Sequence, residues 1–199
     1  MWNALFSTIT AITCLFLVIK TFPTEQKGIK ITTITALGLW GLSITFDRIG
    51  SSHVELVITL LKSISLSLLL VLFLIFVRER KPAIFRYPMG MTIIPLTIPI
   101  VYLFVHDIEI MNRVIFMSVQ GASILIFALL GITYFKLIEN KWLLLIGVIS
   151  LIWGFLFFWV LQNHFTVFSW AWGLSNSIGM ICSVYSFSGL LQKLNPDEL

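Results

Sequence analysis

The chain has 199 residues, of which 58% are hydrophobic and only 11% charged, with a formal net charge of +4. A soluble domain of ordinary make-up carries about 25% charged residues, so too few remain here to coat a water-facing surface, whereas a lipid-facing one needs none. A mean hydropathy of +1.01 argues against a soluble enzyme or a nucleic-acid-binding domain, and the length accommodates one compact membrane unit with no sizeable soluble domain.

A spanning helix needs about 20 mostly apolar residues, and seven stretches qualify. The first, residues 2–20, lacks a positive region before it and a small-residue cleavage site after it. Its lysine, Lys20, follows the apolar run, which is the pattern of a span inserted amino-end-out rather than of a signal peptide. The second, 31–46, is short and Thr-rich and extends outward toward Ile49. The third, 54–77, is unambiguous. The fourth, 89–105, contains Pro95 and Pro99. Each withdraws an amide donor from the carbonyl four residues earlier, so a bend is expected, tolerable in a membrane where neighbours re-satisfy the freed groups. The fifth, sixth and seventh, 113–135, 142–162 and 166–192, are again unambiguous.

Orientation follows from the cations in the connections. Lys20, Lys27 and Lys30 follow the first span, and Arg78, Arg80, Lys81 and Arg86 follow the third. Lys136 and Lys141 follow the fifth, and Lys193 lies in the tail; the opposite side holds only Arg48 and Arg113. Positive residues are retained in the cytoplasm. The sequence therefore predicts an all-α bundle of seven transmembrane helices in one domain, in the cell membrane, amino terminus outside and carboxyl terminus cytoplasmic. The Arg78-Glu79-Arg80-Lys81 run is also suited to anionic headgroups, although setting the topology is the simpler role.

A faint internal echo accompanies this plan. Leu39-Trp40-Gly41 in the second span parallels Ile152-Trp153-Gly154 in the sixth, and Lys62-Ser63-Ile64-Ser65 in the third parallels Ser175-Asn176-Ser177 in the seventh. With the fourth span as a spacer, this suggests a three-plus-one-plus-three arrangement of parallel repeats, as in several transporters. The plan resembles that of the SWEET sugar transporters and their PQ-loop relatives in helix count and orientation. The Pro-Gln pair that names the latter is absent, so the resemblance is architectural. A retinal protein is excluded, because residues 166–191 contain no lysine for a Schiff base.

Lys62 is the most informative residue. It lies about 12 Å into the third span from the outer face at 1.5 Å per residue, and an ionisable group within a span is by default a candidate functional site; snorkelling of its long stem is the competing explanation. Glu55, on the same helical face, and Asp47, near the outer end of the second span, are candidate charge partners. Asn176, Gln120, Trp40 and Trp153 fall at comparable depth. Together with Lys62 they would form an outer-half pocket for an anionic or carbonyl-bearing small molecule; interhelical hydrogen bonding is the alternative role for the two amides. The row Gly173, Asn176, Gly179, Ser183 and Ser186 in the seventh span, and the row Gly38, Gly41 and Thr45 in the second, read as helix contacts.

Cys14 and Cys182 lie within spans without CxxC spacing and read as small hydrophobes. His53, His106 and His164 fall in separate outer loops, with Asp107 and Glu109 beside the second, in spacings that match no metal motif. No HExxH, GxSxG or paired intramembrane carboxylate is present, so neither a catalytic centre, a metal nor another cofactor is expected. The leading expectation is a small-molecule transporter or permease with lipid and a small ligand as partners. The alternative is a receptor-like sensor or accessory subunit acting through a membrane protein partner or a second copy of itself.

Overall fold

A computed structural model describes residues 2–23, 27–47, 54–80, 88–105, 108–136, 138–161 and 169–193. Among the described residues there is no strand, and the chain forms seven helices. They are α1 (Trp2–Thr21), α2 (Lys27–Asp47), α3 (Glu55–Arg80), α4 (Ile98–Val105), α5 (Glu109–Thr133), α6 (Lys141–Leu156) and α7 (Ser169–Lys193). A 3-10 run, Met89–Thr97, leads into α4, and a π turn, Phe157–Leu161, closes α6. Five helices, α2, α3, α5, α6 and α7, are long and apolar enough to cross a membrane, and shorter apolar stretches lie in α1 and in the segment ending in α4. By length and composition this is a membrane protein.

Three elements differ from expectation in instructive ways. The second helix starts at Lys27 rather than Ile31, because Lys27, Gly28 and Lys30 continue the helix instead of forming a loop. Its hydroxyls do not disrupt it: Thr45 and Ser43 donate back to the carbonyls of Gly41 and Trp40 at 3.0 and 2.6 Å, which satisfies them within the helix. The fourth segment is not simply bent. Its nine residues around Pro95 wind as a 3-10 helix, at about 2.0 Å per residue, before eight α-helical residues at about 1.5 Å. The winding stretches a short segment to about 30 Å, the thickness of a hydrocarbon core. The sixth helix changes to π geometry at Phe157.

Burial departs from that of a water-soluble protein. Each buried polar side chain among the described residues is a serine or threonine, whereas Phe104, Trp142, Ile110 and Ile132 are more than 70% exposed. Lipid is as apolar as the interior, so large aliphatic side chains gain little by facing inward, and small residues that allow close helix approach take the contacts.

The helices form two compact units, divided at Lys30/Ile31 and within α5 at Ile126/Phe127. Unit 1 comprises α1, the end of α5, α6 and α7. In it α7 packs against both α1 and α6, around the buried Cys14, Val18, Phe187, Leu190 and Leu191. Its polar end is well tied. Lys30 Nζ donates to Ile19 O in the last turn of α1 at 2.8 Å and to Phe22 O just past its end at 3.1 Å; Gln192 Nε2 donates to Thr21 O at 2.9 Å; and Lys193 pairs with Glu139 at 3.1 Å. Unit 2 comprises the rest of α2, α3, the 3-10 run, α4 and most of α5. There α3 packs on the 3-10 run and α4, and Ser65 Oγ donates to Ala36 O of α2 at 2.7 Å. This grouping places α1 with α6 and α7.

Candidate functional site

Unit 2 carries Lys62, Gln120, Trp40, Glu55 and Asp47, and unit 1 carries Asn176 and Trp153. Lys62 is half-buried in the second turn of α3, and the next residue, Ser63, is only 2% exposed. Glu55 is exposed in the first turn, seven residues and about 10 Å along the axis from Lys62. Asp47 is the last residue of α2. Gln120 is half-buried in α5 beside Val119, and Trp40 is half-buried in α2, where its carbonyl accepts the Ser43 hydroxyl.

A narrow crevice lies between α3, α4 and α5. Ser63 and Leu66 line it from α3, Ile98 from α4, and Ile115, Phe116 and Val119 from α5; it is nowhere wide enough to seat a water. Phe116 closes one wall by meeting the Tyr102 ring edge-on at 5.9 Å. Ser63 Oγ is buried here without a hydrogen-bond partner, as is Ser67 Oγ one turn deeper along α3. Both serines were legible as hydroxyls at i and i+4 in a Leu-rich helix, a spacing that puts them on one face. That signal was overlooked beside the charge of Lys62.

In unit 1 the amide of Asn176 lies in a close helix contact, its Oδ1 buried without a hydrogen-bond partner. A Cβ on Gly154 of α6 would lie 2.6 Å from Asn176 Oδ1, so the glycine makes room for the carboxamide. Trp153, next to that glycine, is 54% exposed. On the other flank of α7, Gly173 makes room in the same manner for Asn3 of α1, whose Oδ1 would be 2.5 Å from an added Cβ. Gly179 fits against Leu151, and Gly147 against Ser183. Ser175 Oγ adds a hydrogen bond to Ser150 O at 2.8 Å. The small-residue row of α7 is thus a packing surface, divided between α1 and α6. Asn3 gave no sequence signal beyond its place at a helix start.

At the end of unit 1 opposite the lysine ties, Phe158 stacks edge-on with Trp159 at 4.8 Å and with Trp172 at 5.0 Å. Aromatic side chains of this kind favour a membrane interface. His53, His106 and His164 of the outer loops, with Asp107 beside the second, lie outside the described residues, as do Arg48, Lys81 and Arg86. Among the described residues no group of three or more metal-binding side chains converges. No protein-family model matches the chain, and no match was found to a curated protein or to a solved structure.

Proposed function

We propose that the chain is a seven-span protein of the cell membrane, amino terminus outside, that binds and passes a small polar solute through unit 2. The observation that carries this is the clustering on α3 of Lys62 with two buried, unpartnered hydroxyls, in a helix otherwise fitted for lipid. An ionisable group within a bilayer is costly and is by default a candidate for a solute pathway. Support for seven spans comes from length: α1 has 20 residues, about 30 Å, and the 3-10 winding extends the fourth segment to a similar reach. Support for the topology comes from the helix ends. Lys20, Lys27, Lys30, Arg78, Lys136, Lys141 and Lys193 lie at alternate ends of successive helices, whereas Arg113, at the opposite level, pairs with Glu109 at 3.5 Å. The Lys62 ammonium would anchor a carboxylate or carbonyl, with Gln120 as a nearby amide.

The test is a thermal-shift screen of small monocarboxylates and amino acids on the purified protein. A solute at 100 times its Kd stabilises by about 2.7 kcal/mol, which is readily measured. Lys62→Met is expected to abolish the shift. A solute whose shift survives Lys62→Met would remove Lys62 from the site, and the absence of any shift across the screen would count against solute binding.

A further inference from the structure

The α3 hydroxyls and the 3-10 run belong to one contact. Ser63 and Ser67 are 2% and 0% exposed, and both Oγ atoms lack a partner. Ser63 shares its crevice with Ile98, and α3 packs along both α4 and the 3-10 run. From that register, one α-helical turn inward brings α3 to Ser67, about 6 Å deeper. Three 3-10 residues from Ile98 bring the opposing segment to Pro95 over the same distance.

The opposing backbone is unusual in two ways. A 3-10 run seldom exceeds three or four residues, and a longer stretch is a mark of a hinge or of a sequence under strain; this one has nine. Pro95 lies within it and Pro99 follows in α4, and both are buried. Neither proline can donate, so each withdraws one amide from the carbonyls at this level in either winding. The seam therefore holds two hydroxyls without partners, Ser63 beside a crevice too narrow for water, and by register faces a backbone that its prolines leave short of donors. A permanently dry contact would leave these groups unsatisfied, whereas a hydrated one would satisfy them.

We propose that the seam between α3 and residues 89–105 is a gate, closed in this structure, that admits water and small polar solutes when residues 89–97 rewind from 3-10 to α geometry. The rewinding shortens the run by about 4.5 Å, from the difference between 2.0 and 1.5 Å per residue. It also turns the run by roughly 180°, because each residue advances 100° instead of 120°, so a different face meets α3. The gate supplies the inward half of the path assigned above to unit 2 and to that extent rests on it. Its test does not involve Lys62, so the two can fail separately.

The experiment is thiol labelling in a background carrying Cys14→Ala and Cys182→Ser. Single cysteines are introduced as Ser67→Cys and, for comparison, Ser65→Cys, which replaces a buried hydroxyl already committed to α2. Inverted membrane vesicles are treated with a charged, membrane-impermeant methanethiosulfonate. The gate predicts modification of the Ser67→Cys thiol at least about tenfold faster than that of Ser65→Cys, since reaction requires a hydrated thiolate. Equal, negligible rates at the two positions would overturn it. Should Ser67→Cys fail to fold, hydrogen exchange on the unaltered protein decides. Amides within 89–97 should exchange at least about tenfold faster than those within 141–156, and equal protection would overturn the gate.

Discussion

Replacing Gly179 by alanine probes the closest helix approach in the molecule's first unit. The added Cβ would lie 2.7 Å from Leu151 Cγ, 2.8 Å from its Cδ2 and 3.0 Å from its backbone nitrogen. The leucine side chain can rotate away, but the backbone nitrogen cannot, so α6 and α7 must separate or slide. Overpacking of this kind costs about 1–3 kcal/mol, offset by up to about 1 kcal/mol from the better helix propensity of alanine. The net expectation for Gly179→Ala is a loss of about 1–2 kcal/mol. Gly189, ten residues on in the same helix, has nothing within 4 Å of its missing Cβ. There only the backbone term remains, and Gly189→Ala should gain about 0.4–1 kcal/mol. Both variants can be unfolded in mixed micelles by titration with dodecyl sulfate, followed by tryptophan fluorescence. The two changes are chemically identical, so their difference isolates the contact. Should Gly179→Ala prove as stable as Gly189→Ala, α6 and α7 do not approach as described.

Two further contrasts follow from the same reasoning. Ser65→Ala removes an interhelical hydrogen bond and should destabilise by about 0.6–1.5 kcal/mol, whereas Ser67→Ala removes an unpartnered hydroxyl and should leave the closed form equally or more stable, by up to about 1 kcal/mol; the same dodecyl sulfate titration ranks them. Lys30→Met deprives the end of α1 of two hydrogen bonds and should cost about 1 kcal/mol, with faster amide exchange expected in the last turn of α1 but not in α6.

The helices were legible because hydropathy and length are sufficient for a solvent as uniform as a bilayer, and α3, α5 and α7 lie within a few residues of where the sequence puts them. Their rotations were not. In a soluble helix the apolar stripe declares the buried face, but Ile132 and Leu130 of α5 are equally apolar while one is exposed and the other buried. Lys62 could be found from sequence because a charge in a span is rare. The engagement of Asn176 by Gly154 could not, since it depends on which face of α6 turns toward α7. The winding around Pro95 was half legible: proline announces a disturbed helix but does not say whether it bends or tightens.

The tight winding of residues 89–97 also ties this segment to the thickness of its surroundings. A helix that can exist about 4.5 Å longer or shorter has two lengths to match against the hydrocarbon, and biological membranes differ in thickness by a few ångström. Mismatch costs fractions of a kcal/mol per ångström, so moving from a thin to a thick bilayer shifts the balance between the windings by roughly 1 kcal/mol, several-fold in population. Sterol content or acyl-chain length would then act on the segment as a ligand acts on a receptor, favouring the extended form in thick membranes and the contracted one in thin.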